Sequence, residues 1–416
     1  MRLRASRPER IPVTNAPLAG LRVVEFATFV AGPSAGMTLA QLGAEVIRID
    51  PVGGAADYRR WPVSASGGAS LYWSSLNRGK RSVVLDLRRE EGRELLLGLV
   101  SAPGPHAGIL IDNAVGRSWL SYEALAQRRC DVIRVHIGGR SDGGPAVDYT
   151  VNAEVGVPDL TGPADTPTPV NHVLPAWDFI TGMTATTGLL AALRHRDRTG
   201  EGAHIQLALE DVALAGVANL GWLTEARERG DRSRHGNDLY GSFGTDFATA
   251  DGGRVMVVAL TDRQWQSLCE ATHVTEVITG LQDLLGVDFT DEAQRYRHRE
   301  TIAAVMRSWF ADRDLDEVRR ALSDAGVLWS RYRPLSELVA DFEAGRVSAV
   351  LSTVDQAGIG PVISARNPLR DGNSYGSTAS AAPLGADTDE VLSRVLGLAD
   401  AQLGRLRQAG VIAAAG

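Results

Sequence analysis

A carboxylate beside an aromatic ring, at residues 175–178, is the first feature of the sequence that could do covalent chemistry. The segment reads Pro-Ala-Trp-Asp and precedes a helical pattern over residues 178–194. An aspartate at a helix N-cap accepts backbone N–H bonds and gains from the helix dipole, so both effects would keep Asp178 ionised. An ionised carboxylate against the Trp177 ring could attack an acyl group. On these residues alone, a purely structural helix cap is the simpler interpretation.

Positive charge is concentrated at residues 76–82, which read Leu-Asn-Arg-Gly-Lys-Arg-Ser just before a predicted strand. Arginine makes forked contacts with phosphate oxygens and lysine acts as a point charge, so the segment could bind a phosphate-bearing ligand. Lys80 is the only lysine of the chain, whose 43 basic residues are otherwise arginine. The spacing alone nevertheless favours a solvated basic loop.

Two glycine-containing segments could surround a ligand. Residues 29–36, FVAGPSAG, follow a strand pattern and open a helix, but they lack GxGxxG and contain a proline. Dinucleotide binding is therefore weakly supported. A helix N-terminus that could receive an anion remains, and a plain β-to-α turn explains it equally well. Residues 236–244, GNDLYGSFG, fit either a mobile lid over a substrate or a hinge.

The composition argues against several classes of protein. The net charge of −7 disfavours a nucleic-acid partner, and no apolar run is long enough to span a membrane. Cys130 and Cys269 lack the spacing of a thiolate metal site, and no HExxH, GxSxG or Walker A motif occurs. Residues 1–12 are polar and arginine-rich, which predicts a short arm rather than a secretory signal. We therefore expect a cytoplasmic protein without a bound metal.

Short β-rich runs alternate with helical patterns in the first half of the chain. Strands are predicted at residues 21–26, 45–49, 82–87, 108–111, 131–137 and 203–209, and helices at residues 33–42, 88–100, 121–129, 178–194 and 211–229. This alternation predicts an α/β fold with a parallel sheet covered on both faces. Residues 138–169 are rich in loop-forming residues, which is typical of a functional segment.

The pattern changes after residue 253. A strand at residues 254–260 is followed by helical patterns at residues 262–272, 300–310 and 315–324, which predicts a smaller α+β domain. Near the C-terminus, Asp387 followed by Glu390 predicts a helix that begins with a capping box.

Taken in order, several segments resemble the family III CoA-transferases over residues 17–412. They include LRVVEFATFVAGP, LAQLGAEVIRID, LNRGKRSVVLDL, AWDFITG and LLAALRHRDRTGEG. The resemblance implies a large Rossmann-like domain beginning in residues 1–229, a small α+β domain with its linkers at residues 230–333, and a segment at residues 334–416 that returns to the large domain. It also implies a homodimer of interlocked chains. Coenzyme A would be part of the substrate, with no permanently bound cofactor.

The resemblance assigns roles to individual positions. Asp178 matches the catalytic aspartate of the family, and Gly241 and Gly244 match a glycine loop over the active site. The residues that match CoA-binding segments are Phe29, Val30, Ala31, Leu76, Asn77, Arg78, Lys80, Asp112 and Asn113.

One segment departs from the family pattern. Many members carry Asn-Phe-Arg-Pro-Gly where this chain has Asn-Ala-Val-Gly-Arg at residues 113–117. The family arginine is therefore absent at Val115, and whether Arg117 replaces it is left open.

The stretches GRSDGGPAVDYTVN, PVNHVLPAWD and DPVGGAADYRRWPV resemble a subgroup that moves CoA between the C1 and C4 carboxyl groups of mesaconate, in the 3-hydroxypropionate route of carbon fixation. Alternatives are CoA transfer to a separate acid, an acyl-CoA racemase, or a non-catalytic CoA-binding protein. The racemase is disfavoured because Val147 stands where those enzymes carry a histidine base. The cation that would hold the free carboxylate is left open among Arg59, Arg60, Arg140 and His172.

Overall fold

The computed structural model describes residues 16–65 and 67–413, so the arm predicted at residues 1–12 lies outside the described residues. The strands are β1 (Arg22–Phe26), β2 (Glu45–Asp50), β3 (Arg81–Val84), β4 (Ile109–Asp112), β5 (Ile133–Gly138), β6 (Ala203–Ala208), β7 (Phe243–Ala248), β8 (Arg254–Ala259), β9 (Leu328–Arg331), β10 (Leu351–Gln356), β11 (Gly360–Ala365), β12 (Arg370–Asp371) and β13 (Ser374–Tyr375).

Within the described residues, no helix is both long and apolar enough to cross a membrane. The helices are α1 (Ala31–Gln41), α2 (Leu71–Leu76), α3 (Glu90–Ser101), α4 (Tyr122–Arg128), α5 (Asp148–Glu154), α6 (Val157–Leu160), α7 (Ala176–Thr199), α8 (Leu209–Asn219), α9 (Trp222–Arg229), α10 (Asp262–Ala271), α11 (Thr275–Leu285), α12 (Glu292–Arg297), α13 (Arg299–Ala311), α14 (Leu315–Asp324), α15 (Leu335–Glu343), α16 (Thr388–Leu396) and α17 (Asp400–Gln408).

The chain divides into two compact units. The first contains residues 16–155, 173–222 and 348–413, and the second contains Gly156–His172 and Leu223–Val347. The first unit holds a six-stranded sheet with the order β3-β2-β1-β4-β5-β6, in which all neighbours are parallel. The predicted parallel α/β architecture is confirmed. Strand order reverses between β1 and β4, and doubly wound sheets bind ligands outside the strand carboxyl ends at that point.

Helices cover both faces of this sheet because the buried parallel strands present apolar side chains on both sides. On one face, Leu39 of α1 and Leu189 of α7 pack in a core with the strand side chains. On the other face, Leu96 of α3, Leu392 of α16 and Leu403 of α17 form a second core. The sheet is therefore closed off from solvent except at its edges and strand ends.

Close packing of α7 against α1 depends on Gly182. A Cβ atom at this position would lie 2.1 Å from the Ser34 Oγ and 2.7 Å from the Ala31 carbonyl oxygen. Because Gly182 has no side chain, the second turn of α7 packs closely against the first turn of α1. Because α1 follows β1 and α7 follows β5, this end of the helices lies at the carboxyl edge of the sheet.

The C-terminal segment packs along β3. Helix α16 begins after Asp387 as predicted, but the capping box with Glu390 is wrong. The Asp387 carboxylate instead accepts hydrogen bonds from the Ser82 N–H at 3.0 Å and the Arg81 guanidinium at 2.8 Å. A long-range contact with the sheet thus replaces the local cap.

The second unit is built around an antiparallel sheet with the order β7-β8-β9. Phe243, Trp265 and Phe310 pack in its core with residues from the surrounding helices. This arrangement confirms the predicted smaller α+β domain. Helices α11, α12 and α15 were not predicted from the sequence.

Two other sequence expectations are corrected. The single helix predicted at residues 211–229 is two helices, α8 and α9, separated near Gly221, whose φ of +77° does not continue a helix. The loop-rich segment at residues 138–169 contains α5 and α6. The first of these begins at Asp148, which contributes directly to the candidate site.

Candidate active site

The turn after β1 holds Phe29 in an unusual backbone conformation. Its φ is +69°, a region that residues other than glycine rarely adopt, and its side chain is 39% exposed. The Phe29 N–H donates to the Asp57 carboxylate at 2.9 Å, which holds the turn in place. Val30 and Ala31, the other members of the predicted CoA loop, follow it and are buried.

Asp57 belongs to a buried ion cluster centred on Arg48. The Arg48 guanidinium makes a forked contact with Asp50 at 2.9 and 3.0 Å. It also donates to Asp57 at 3.2 Å and to Glu25 at 3.3 Å. Charges this deeply buried must be paired and hydrogen-bonded to be tolerated, and each of these is. The cluster therefore fixes the Phe29 turn relative to the sheet.

Lys80 and Asn77 belong to the same cluster. The Lys80 ammonium donates to the Glu25 carboxylate at 2.8 Å, the Pro33 carbonyl at 2.9 Å and the Asn77 side-chain oxygen at 2.8 Å. Burial lowers the pKa of Lys80 to about 8, against the opposing attraction of Glu25. All three donors of the ammonium have partners within the chain. Direct contact of Lys80 and Asn77 with CoA stays a prediction.

Leu76 and Arg78 are also buried. The Arg78 guanidinium donates to the Ser364 hydroxyl at 2.7 Å, which ties the segment to β11. The concentration of charge at residues 76–82 thus includes side chains that hold the fold together. The solvated basic loop favoured by the spacing is wrong for Arg78 and Lys80, and their role toward CoA stays a prediction.

Asp112 and Asn113 lie at the carboxyl end of β4, beside the turn after β1. The Asn113 side chain accepts from the Thr28 N–H and donates to the Thr28 carbonyl, both at 3.3 Å. Burial would raise the pKa of Asp112, but hydrogen bonds from His136 and Arg134 outweigh it and the pKa is lowered. These contacts bring two predicted CoA segments together at the β1–β4 reversal.

Arg117 lies near the same strand ends. Its guanidinium stands 5.3 Å from the centre of the Phe26 ring and 6.0 Å from that of Trp119. Val115, where the family arginine is missing, is 80% exposed. Replacement of that arginine by Arg117 stays a prediction.

Asp178 is not the N-cap of α7. The helix begins at Ala176, and Pro175 occupies the N-cap position without a side-chain cap. The buried Asp148 carboxylate instead accepts the N–H groups of Trp177 at 2.8 Å and Asp178 at 3.1 Å. The capping role predicted for Asp178 therefore belongs to Asp148.

The expectation that its surroundings keep Asp178 ionised is also wrong. Burial, followed by the nearby negative charge of Asp148, raises the pKa of Asp178 to about 7, and the positive charge of Arg60 partly opposes the rise. Its carboxylate is half-buried on the first turn of α7. A basic carboxylate in that position can act as a nucleophile once it loses its proton.

Tyr72 and Arg60 complete the surroundings of Asp178. The Arg60 guanidinium stands 5.6 Å from the centre of the Phe29 ring and 5.3 Å from that of Tyr72. Burial raises the pKa of Tyr72 to about 12, so its hydroxyl stays protonated and can donate a hydrogen bond. One cation and one neutral donor therefore accompany the candidate nucleophile.

Gly241 and Gly244 lie in the second unit. Gly241 precedes β7 with a φ of +83°. Gly244 lies within β7, where a Cβ atom would come within 3.0 Å of the Leu239 side chain. The backbone of Gly241 therefore favours glycine and the space at Gly244 is tight, and the role of both residues over an active site stays a prediction.

Sequence reasoning missed Asp57, Asp148 and Tyr72. Asp148 lies in the stretch GRSDGGPAVDYTVN, which carried the resemblance to the subgroup, but nothing in that stretch indicated that its carboxylate would accept the N–H groups of α7. In the described parts of the chain, no group of three or more histidine, cysteine, aspartate or glutamate side chains could hold a metal ion.

The raised pKa of Asp178 predicts a pH-dependent effect of Asp178→Asn on stability. The folded state keeps the Asp178 proton up to about pH 7, whereas an unfolded aspartate loses it near pH 4. Ionisation of Asp178 therefore destabilises the folded protein. This destabilisation is absent below about pH 4, grows as the pH rises, and is complete above about pH 7. After allowance for solvent screening, we expect the variant to gain about 1–2 kcal/mol more at pH 8 than at pH 5. Urea unfolding at both pH values measures this difference.

Asp283→Asn makes the same chemical change at an exposed position of α11 and serves as the control. An Asp178→Asn effect that is equal at pH 5 and pH 8 would contradict the raised pKa.

Comparison with known proteins places the chain in a family. The family model described as CoA-transferase family III matches residues 18–388. The chain is 49% identical over 399 residues to 2-methylfumaryl-CoA isomerase of Chloroflexus aurantiacus, covering 95% of this chain and 98% of that protein. It is 30% identical to the succinyl-CoA–L-malate CoA-transferase beta subunit of the same species, covering 96% and 99%.

A solved CAIB/BAIF family protein from Brucella suis has a similar structure. It superposes with a TM-score of 0.73 at 27% identity, covering 92% of this chain and all of that one. The matches extend through both units of the chain. The protein belongs to CoA-transferase family III.

Proposed function

We propose that this protein converts mesaconyl-C1-CoA, also called 2-methylfumaryl-CoA, into mesaconyl-C4-CoA, or 3-methylfumaryl-CoA, by moving CoA within one substrate molecule. The observation that carries the proposal is the 49% identity to 2-methylfumaryl-CoA isomerase over 95% of the chain. The half-buried carboxylate of Asp178, with its pKa near 7, supplies a group suited to covalent transfer. CoA enters as part of the substrate, and we expect no permanently bound cofactor.

The first half of the reaction would transfer CoA to the protein. The Asp178 carboxylate attacks the C1 thioester carbonyl, the carbon–sulfur bond breaks, and CoA thiolate leaves a mixed anhydride. The thiolate then attacks the aspartyl carbonyl of the anhydride. This step yields an aspartyl-CoA thioester and the dianion mesaconate.

The second half would return CoA to the other end of the diacid. The C4 carboxylate attacks the aspartyl thioester, the carbon–sulfur bond breaks, and CoA thiolate leaves. The product of this step is a second anhydride, between C4 and Asp178. Thiolate attack at C4 then gives the product thioester and regenerates the Asp178 carboxylate. No proton or acid is gained or lost over the cycle, provided that mesaconate stays bound.

The environment of Asp178 suits this chemistry in two ways. A carboxylate whose pKa is raised is more basic, and greater basicity makes it a stronger nucleophile toward the thioester. Asp148 accepts the N–H groups of residues 177 and 178, so those donors do not quench the charge of Asp178. The reactive form is the deprotonated one.

Incubation of the pure protein with mesaconyl-C1-CoA and isotope-labelled free mesaconate tests the proposal. We expect chromatography to reveal the C4 thioester without incorporation of the label, because the diacid does not exchange. Asp178→Ala should abolish turnover but retain CoA binding, since it removes only the carboxylate. Transfer of CoA to an added acid such as succinate, without any C4 thioester, would instead support an intermolecular transferase.

Removal of the Asp148 charge should shift the pH dependence of turnover. Asp148 raises the pKa of Asp178, so Asp148→Asn lowers that pKa and moves the acid limb of the kcat/KM profile to lower pH. Asparagine retains an oxygen for the two N–H groups. Asp283→Asn should leave the limb in place, and an unshifted limb in Asp148→Asn would contradict the assigned cause of the raised pKa.

We also propose that the protein is a homodimer of interlocked chains, acting in the cytoplasm. Apolar side chains exposed before and on α7 support a protein-covered surface there: Val173 is 91% exposed, Leu174 59%, Ile180 46% and Met183 55%. Light scattering after size exclusion should give the mass of two 416-residue chains, and Met183→Glu should shift it toward one. A monomeric mass for the unaltered protein would refute the dimer.

A further inference from the structure

The substrate of the proposed isomerisation carries a second carboxylate, which must be held while its partner reacts at Asp178. A buried or half-buried carboxylate needs a charge-assisted hydrogen bond, and a guanidinium provides the geometry for one. A cation of the first unit can bind this carboxylate only if no carboxylate of the chain already neutralises it. The inference below rests on the proposed function, because that function supplies the free carboxylate.

The positive charge of Arg140 is already neutralised by carboxylates of the chain. Its guanidinium donates to both carboxylate oxygens of Glu154, at 2.7 and 2.8 Å, and contacts Glu210 at 3.0 Å. Two carboxylates already surround one positive charge. No contact of Arg59 with the groups around Asp178 is found among the described residues.

Arg60, in contrast, is not paired with a carboxylate of the described chain. No salt bridge joins it to a carboxylate within the residues that the structure describes. Its guanidinium lies within 6 Å of two ring centres, those of Phe29 and Tyr72, and such contacts orient a cation without neutralising it. It is close enough to Asp178 for its charge to act on that carboxyl.

The backbone of Arg60 is fixed at both of its polar groups. Its N–H donates to the Asp57 carbonyl at 3.1 Å, and its carbonyl accepts the Ser70 hydroxyl at 2.5 Å. The Ser70 hydroxyl also accepts the Trp73 N–H at the start of α2. The exposed guanidinium therefore extends from a segment that is anchored to the Arg48 cluster on one side and to α2 on the other.

We propose that Arg60 binds the carboxylate of the substrate that is not being acylated, with the neutral Tyr72 hydroxyl as a second donor. In the first half of the reaction this group is the C4 carboxylate, and in the second half it is the C1 carboxylate. Between the two halves, the same ion pair retains the free diacid. Arg60 thereby selects thioesters of dicarboxylic acids and restricts exchange with other acids.

Comparison of two thioesters tests the inference. Mesaconyl-C1-CoA carries the distal carboxylate and crotonyl-CoA lacks it, while both present the same CoA. Acyl transfer to Asp178 can be measured for each by trapping the activated aspartyl group with hydroxylamine and identifying the product by mass spectrometry. Each thioester is assayed with the unaltered protein and with Arg60→Gln, Arg60→Lys and Arg59→Gln.

We expect Arg60→Gln to reduce the hydroxylamine trapping of Asp178 with mesaconyl-C1-CoA at least tenfold, because one charge-assisted contact is lost. The trapping with crotonyl-CoA should change by less than about threefold, because that thioester lacks the distal carboxylate. Arg60→Lys should recover part of the loss because it restores the charge. Arg59→Gln should resemble the unaltered protein. Arg60→Gln should also begin to incorporate labelled mesaconate into its product, because the diacid escapes.

Equal losses for both thioesters with Arg60→Gln would overturn the inference, since they would indicate a contact with CoA or a structural role. Failure of the proposed function is distinguishable from this result. If the unaltered protein forms no C4 thioester, the isomerase assignment fails, whereas a selective loss for succinyl-CoA over crotonyl-CoA would still support carboxylate binding by Arg60.

Discussion

The buried ion pair between Arg48 and Asp57 is the interaction on which the candidate site depends. Arg48 lies in β2, whereas Asp57 lies in the loop that leads to α2. The Asp57 carboxylate also accepts the Phe29 N–H, and the Asp57 backbone carbonyl accepts the Arg60 N–H. Removal of one partner from a buried pair costs about 3–5 kcal/mol. The contact that anchors this loop to β2 therefore also positions Phe29 and Arg60, whose charge acts on Asp178.

Asp148 and Asp178 carry the same chemical group, but their surroundings give the two carboxylates different roles. Asp148 accepts backbone N–H groups and is buried as a fixed negative charge. That charge, together with burial, makes Asp178 hard to ionise and correspondingly basic. The role of Asp178 depends on that of Asp148, because a helix start capped by Asp178 itself would leave the Asp178 carboxylate hydrogen-bonded and weakly nucleophilic.

The sequence predicted the parallel sheet and the smaller α+β unit because periodicity and turn residues are local signals. It could not assign the cap of α7, because Asp148 precedes Asp178 by 30 residues and reaches it only through tertiary packing. For a similar reason the sequence could not predict that Lys80 is buried and paired within the fold. Its partner Glu25 is 55 residues away, and spacing along the chain reveals neither the contact nor the burial.

The same limit applies to the arginines, which supply 42 of the 43 basic residues and so cannot be ranked by type. What distinguishes them is the number of carboxylates that each one meets after folding. Arg48 and Arg140 are each surrounded by more negative than positive charge, so they stabilise structure. Arg60 meets two aromatic rings instead, and an oriented cation with an uncompensated charge is the arrangement that a carboxylate ligand requires.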